Sequence, residues 1–379
     1  MRDKTKVLTI FGTRPEAIKM APVVKKLKAD KDIECSLCVT AQHREMLDQV
    51  LYLFDLVPDY DLDIMKKNQT LTQITSRVLE GLDEAINKAQ PDVILVHGDT
   101  TTTFAGALAA FYHQVKVGHV EAGLRTFNKY SPFPEEMNRV LTGRMADFHF
   151  CPTQKNIQNL LDEGIDERKI FLTGNTVIDA LIHTANQEYE FPDTLLRDIN
   201  YDDSRVITVT CHRRENLGQY MENIFLALRD IVEKYQDVEV IFPVHLNPKV
   251  KNTAIKILGG LERIHLIKPL EYQPFVKLLS KSHLIITDSG GLQEEAPSLG
   301  KPVLVVRKET ERPEAIEAGT AKLAGVQRET IVKMTSELLD DENKYNKMAQ
   351  SVNPYGNGTA SEKIVRIIKD SFITTMSDT

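Results

Sequence analysis

The sequence predicts an α/β fold made of two Rossmann-like, doubly wound domains facing a deep cleft. Three observations lead there. Short apolar, β-branched runs alternate with helical patterns along the whole chain, which is the signature of βα repetition around a parallel sheet. The series of strands runs twice, with a polar stretch between the runs. Each run opens with a strand that delivers basic residues at its C-terminal end, where ligands sit in open α/β sheets.

In the first series the strands read KVLTIFG, IECSLCVT, DVILVHGD, KVGHVEAG, DFHFCPT and KIFLTGN. Helical patterns such as PEAIKMAPVVKKLK and LTQITSRVLEGLDEAINKA fill the gaps. Several strands are apolar throughout, as expected when helices cover both faces of a sheet. The second series, from Arg205, reads RVITVTC, VEVIFPVH, RIHLIKPL, HLIITDSG and KPVLVVR. The stretch NQEYEFPDTLLRDINYDDS is polar and without strand pattern, so a boundary is placed near Gly174. SEKIVRIIKDSFI reads as a final helix.

Composition narrows the function. The 379 residues, 42% hydrophobic, suffice for two domains with large cores. A net charge of −7, no tryptophan and 7% aromatics argue against a nucleic-acid surface. No secretory signal and no 18-residue apolar run is visible, so a soluble, cytoplasmic protein without a membrane span is expected. Cys35 and Cys38 imitate half a metal motif, but within a strand a separation of three puts the thiols on opposite faces. Asp61-x-Asp63 imitates a metal-binding pair but opens a short polar strand. No metal is expected. Neither opening loop carries G-x-G-x-x-G, so no tightly bound dinucleotide is indicated.

The chemistry-bearing residues lie at strand ends. After HLIITDSG, the residues Ser289, Gly290 and Gly291 turn into a helix holding Gln293, Glu294 and Glu295. Glycines admit a phosphate to the backbone, and amides at a helix start satisfy an anion. Glu295 is placed to accept from the two hydroxyls of a ribose. The plainer reading is a tight βα turn with glutamates at a helix start. Arg14 precedes Pro15 at a helix start and suits a bidentate phosphate clamp, with Lys19 one turn on. His212, flanked by two arginines, is a donor or proton source for a diphosphate, and Arg312 again precedes a proline. The first series supplies acids instead: Asp99, Glu121 and Glu135, with Glu136 beside the last. The plainer role of Asp99 is a helix N-cap. If the three converge in a partly buried site, they are expected to raise one another's pKa, which suits proton transfer.

Seven segments, FGTRPEAIKMAPV, VHGDTTTT, HVEAGLRT, YSPFPEEMNR, TCHRREN, TDSGGLQEEAPSLGKPV and ERPEAIEAGT, together resemble the bacterial non-hydrolysing UDP-N-acetylglucosamine 2-epimerases. They run in order from residue 11 to about 320. The resemblance implies the glycosyltransferase-B architecture, with residues 1–173 plus a C-terminal helix at about 361–379 as the carboxylate domain and 174–360 as the UDP-binding domain. It implies that Arg14, His212, Ser289, Gly290, Gly291, Glu295 and Arg312 contact UDP, with Phe275 near the base. Lys19, Asp99, Glu121 and Glu135 would surround the sugar, and His212 would lie near the leaving diphosphate. The implied reaction is reversible C2 epimerisation to UDP-N-acetylmannosamine through 2-acetamidoglucal, with no cofactor. Proton transfer would fall to Asp99, Glu121, Glu135 and His212.

Many members of the family are activated by their own substrate at a second site, and Gln42, Arg213 and His245 match it. Glu45 and Asn68 stand where the family has glutamine and arginine. A homodimer is the family expectation. A glycosyltransferase of the same fold, or a hydrolysing epimerase, would share the Gly-Gly-x-x-Glu-Glu region.

Overall fold

The structure is a computed structural model describing residues 4–41, 44–66 and 68–375. The chain divides into two compact units, Met1–Ala180 with Tyr355–Thr379, and Leu181–Pro354. The division falls within the helix Thr176–Ala185.

In the first unit the strands are β1 (Thr5–Phe11), β2 (Ile33–Val39), β3 (Tyr60–Asp61), β4 (Val93–His97), β5 (Lys116–Val120), β6 (Phe148–Cys151) and β7 (Ile170–Leu172). They form one parallel sheet in the order β3-β2-β1-β4-β5-β6-β7. In the second unit they are β8 (Arg205–Thr210), β9 (Val238–Pro243), β10 (Ile264–Ile267), β11 (Leu284–Thr287), β12 (Val303–Val305) and β13 (Ala321–Leu323). These are also all parallel, ordered β10-β9-β8-β11-β12-β13. β13 has only three residues, and its AKL leaves no apolar run to read.

Each order reverses direction once, between β1 and β4 and again between β8 and β11. Such switch points, beyond the carboxyl ends of the strands, are where doubly wound sheets open a crevice for a ligand. Every candidate loop described below lies at or beside one of them.

The cores explain why the strands hold this order. β1 and β4 are buried along Leu8, Ile10, Ile94 and Val96. Against them packs the helix Leu71–Ala89 through Ile74, Val78, Leu82, Ala85 and Ile86, the i, i+4 stripe of an amphipathic helix. Burying one such leucine is worth roughly 1.5–3 kcal/mol. In the second unit Ile207, Val209, Ile286 and Leu304 pack with Ile224, Leu228 and Ile231 of the helix Gln219–Lys234. The polar stretch before β8 is not featureless: Phe191 and Leu196 bury against Val206, Ile241 and Leu278.

The final helix, Ala360–Thr375, belongs to the first unit. Its start is held by buried Asp179, which accepts from Ala360 N at 3.2 Å and from Ser361 N and Oγ at 2.8 and 2.5 Å. Further along, Lys369 pairs with Asp30 at 3.2 Å and Asp32 at 2.6 Å. No helix among the described residues is long and apolar enough to cross a membrane.

Candidate active site

In the first unit, the turns after β1 and β4 are fastened together by one carboxylate. Glu16, 2% exposed, accepts from Gly12 N, Thr13 N and Thr13 Oγ1 at 3.1, 2.8 and 2.7 Å through Oε2. Its Oε1 takes the Thr100 hydroxyl at 2.7 Å. Gly12 is required here, because a Cβ would meet Thr40 Oγ1 at 2.0 Å and Thr102 Oγ1 at 2.7 Å. Glu16 therefore sets the β1 turn, which carries Arg14, against the β4 turn, which carries Asp99. Arg14 begins the helix Arg14–Ala29, and its guanidinium has no ion-pair partner among the described residues. Sequence reasoning missed Glu16, since a glutamate in a first helical turn reads as a dipole partner.

Asp99 is not a helix cap. Thr100 takes that place before the helix Thr101–Tyr112, accepting from Thr103 N at 3.1 Å. Asp99 Oδ2 instead receives Arg139 Nη2 at 2.5 Å, while Asn138 Nδ2 holds the Asp99 carbonyl at 2.9 Å. Both partners come from the helix Glu135–Met145, which Glu135 opens. The Glu135 Oε2 atom is buried and without a hydrogen-bond partner among the described residues. Glu136 is committed elsewhere. It accepts from the Thr126 and Phe127 amides at 3.0 and 2.9 Å and lies 3.2 Å from Arg139 Nη1, so it shapes the 124–131 loop.

Glu121 follows β5 with a left-handed φ of +63°, a backbone conformation that costs a non-glycine residue about 1–3 kcal/mol and clusters at functional sites. Its Oε2 receives the Lys19 ammonium and lies 3.3 Å from His97 Nε2. Burial raises its carboxyl pKa, but Lys19 and His97 together outweigh that and hold it well below the usual carboxylate range. The expected mutual upward shift among converging carboxylates is thus overturned for Glu121, because a cation sits on it. Glu121 is thereby held in its ionised form. Two histidines that sequence reasoning passed over support it. His97 is 3% exposed and faces Glu121 through Nε2. His119, 1% exposed, meets the Gly98 carbonyl at 2.7 Å through Nε2, tying β5 to the turn before Asp99. Full burial lowers its pKa to about 3, so it is a neutral donor.

In the second unit, β8 ends at Thr210 and β11 at Thr287, whose hydroxyls meet at 2.6 Å. After β11, Ser289 precedes the helix Gly290–Glu295, as the glycine pair predicts. A Cβ on Gly290 would lie 3.6 Å from Arg213 Nη2 and 3.9 Å from the Arg312 guanidinium carbon, so two guanidiniums flank this glycine. Arg312, just before the helix Pro313–Glu317, donates through Nε to Glu294. Its own amide is held by Thr310 Oγ1 at 3.0 Å, and Thr310 bonds buried Gln293 at 2.5 Å. The 310–312 segment is thereby fixed to the glycine turn. Glu295 Oε1 is the nearest atom to a Cβ built on Gly291, at 3.1 Å. Phe275 sits half-buried on the helix Tyr272–Lys281.

His212 lies just past β8, its side chain 38% exposed, with its ring stacked on His245 at 5.5 Å and 15°. Burial first, then His245 and Arg213, lower its pKa from the ordinary histidine value against the opposing charge of Asp288. Sequence reasoning missed Asp288, fully buried, and Arg307, whose Nη2 reaches Glu215 at 2.7 Å and Glu311 at 3.4 Å. In the sequence both look like the polar ends of apolar strands. Of the three residues matching a second substrate site, Arg213 flanks the open side of Gly290 and His245 stacks on His212, while Gln42 lies outside the described residues. Arg44, close in sequence, pairs with Asp61 and Asp63 at 2.6 and 2.9 Å, which occupies the carboxylates of the metal look-alike.

Residues 25–369 match the family model described as UDP-N-acetylglucosamine 2-epimerase. The Bacillus subtilis protein of that name is 58% identical over 362 residues, covering 96% of this chain and 94% of its own. The Escherichia coli K12 protein is 55% identical over 374 residues, covering 97% and 99%. The crystal structure of the Neisseria meningitidis enzyme bound to UDP-GlcNAc superposes with a TM-score of 0.82 at 50% identity, over 97% of this chain and all of that one. The chain belongs to the UDP-N-acetylglucosamine 2-epimerase family.

Proposed function

We propose that this protein interconverts UDP-N-acetylglucosamine and UDP-N-acetylmannosamine without hydrolysis, by eliminating UDP to 2-acetamidoglucal and adding it back. The observation that carries the reading is the ionised Glu121 held by Lys19 at the end of β5, beside the Asp99 turn. In this reading the glycine turn, Arg312 and His212 of the second unit hold the diphosphate, and Glu295 takes the ribose. Arg14 adds a phosphate clamp. Asp99, Glu121 and Glu135 of the first unit act on the sugar.

The chemistry requires both sets. The C2 hydrogen lies beside an acetamido carbon, so its acidity is poor. Departure of UDP from C1 develops positive charge next to C2 and makes that hydrogen far more acidic. Donors fixed at the leaving diphosphate are worth roughly 3–4 kcal/mol each, and a placed base contributes roughly 10²–10⁴-fold. Inversion also needs a proton returned to the opposite face, hence more than one carboxylate. Glu121, ionised, suits abstraction. Glu135, with a buried and unpartnered oxygen, suits the second transfer.

Incubation with UDP-N-acetylglucosamine alone tests this. A mixture of the two UDP-sugars should form with no acceptor added. Inertness without an acceptor would indicate a transferase, and release of UDP with free N-acetylmannosamine a hydrolysing enzyme.

A further inference from the structure

The carboxylate of Asp288 is divided between two tasks. It follows β11 and is fully buried. Its Oδ2 accepts from the amides of His212 and Arg213 at 2.8 Å each, and from Asn216 Nδ2 at 3.1 Å. Asn216 also bonds the Val306 carbonyl at 3.0 Å, so the loop after β8 is braced against the strands beside it. Oδ1 is buried with no hydrogen-bond partner among the described residues and lies 3.4 Å from His212 Nδ1. A buried carboxylate oxygen left unsatisfied is costly, of order 1–3 kcal/mol or more, and persists where another group completes it.

We propose that Asp288 is a positioning residue for His212: Oδ2 fixes the loop, and Oδ1 takes the Nδ1–H, so that Nε2 is presented outward toward the diphosphate. A carboxylate behind an imidazole selects the Nδ1–H tautomer, orients the ring and stabilises the imidazolium. The 3.4 Å separation is longer than a good hydrogen bond, and such catalytic contacts tighten when ligand binds. The groups facing His212 are Asp288, His245 and Arg213. His245 is kept from competing for the role, because its Nδ1 accepts from Asn247 N at 3.1 Å. Arg213 opposes a positive charge on His212 until a diphosphate arrives to offset it. A bound diphosphate would then complete an Asp288–imidazolium–phosphate chain, with the proton drawn from solvent. Only the position of that proton changes, so no other reactant is required.

The inference rests on His212 serving the diphosphate, and the experiment separates the two claims. Wild-type protein labelled with 15N-histidine, with His212→Asn identifying the resonance, reports the imidazole tautomer directly. Protonated Nδ1 in neutral His212, and uptake of a proton on titration with UDP, are expected. A neutral Nε2–H tautomer would overturn the inference without any variant having to fold. Asp288→Asn, checked for a wild-type melting temperature, should switch His212 to Nε2–H, abolish the UDP-linked proton uptake and lower kcat roughly tenfold to hundredfold. Wild-type tautomer and kcat in a folded Asp288→Asn protein would likewise overturn it. If His212→Asn keeps wild-type turnover and UDP affinity, it is the diphosphate assignment that fails.

Discussion

Lys19, on the helix that follows β1, and Glu121, just past β5, are separated by 102 positions in the chain and form an ion pair. The pair keeps Glu121 ionised although its side chain is only 14% exposed. A carboxylate this well supplied with charge is a stronger commitment than packing alone requires.

Replacing Glu121 with glutamine should therefore leave UDP affinity near wild type while kcat falls by roughly 10²–10⁴. Lys19→Met has a different signature. Burial then raises the Glu121 pKa unopposed by Lys19, so the acid limb of the kcat profile should move to higher pH. Steady-state kinetics across pH, with UDP binding by calorimetry, check both.

Gly290→Ala separates ligand from fold. The backbone at Gly290 is not in the left-handed region, and an added Cβ meets nothing closer than 3.6 Å. Alanine is also the better helix former by about 1 kcal/mol. Melting temperature should stay level or rise, yet UDP affinity should drop at least roughly tenfold, about 1.4 kcal/mol, because the methyl group occupies the face between Arg213 and Arg312. Unchanged UDP affinity would reduce the glycine to a turn former.

The pH dependence of stability follows from His119. Its pKa is 6.5 unfolded and about 3 folded, so the unfolded state binds the extra proton between those values. Stability is present above pH 6.5 and is lost progressively as pH falls toward 3, by up to about 5 kcal/mol. His119→Gln keeps a donor for the Gly98 carbonyl and removes the titration. Urea denaturation at pH 7 and pH 5 should show a shallower acid loss in the variant.

Glu16→Gln probes the fastening of the two turns. The glutamine amide would place a donor against Gly12 N and Thr13 N or against the Thr100 hydroxyl. A loss of about 1–3 kcal/mol in stability is expected. Because Arg14 and Asp99 ride on the turns concerned, kcat/KM should fall by more than the melting curve implies. A kinetic loss no larger than the fraction unfolded would make Glu16 purely structural.

The strand series, the glycine turn and the acids at strand ends were legible because each leaves a local pattern: apolar runs, Gly-Gly before a helix, carboxylates where a strand should stop. What stayed hidden are the residues whose meaning depends on a distant partner. Asp288 reads as the end of an apolar strand until the β8 loop is seen wrapped around it. Glu16 reads as a favourable charge at a helix start, and His97 and His119 as polar interruptions of buried strands. The expected upward pKa shifts failed at Glu121 for the same reason, since the sequence gives no distance from Lys19. Asp99 lost its capping role to Thr100 by one residue, a margin finer than periodicity resolves.

Elimination of UDP from C1 with loss of the C2 hydrogen, followed by re-addition, is the central claim, and its most direct test is proton NMR of UDP-N-acetylglucosamine turned over by the protein in D2O. Deuterium at C2 in both UDP-N-acetylglucosamine and UDP-N-acetylmannosamine, with little free sugar, is the expected result. Epimerised product that retains its original C2 hydrogen would contradict it.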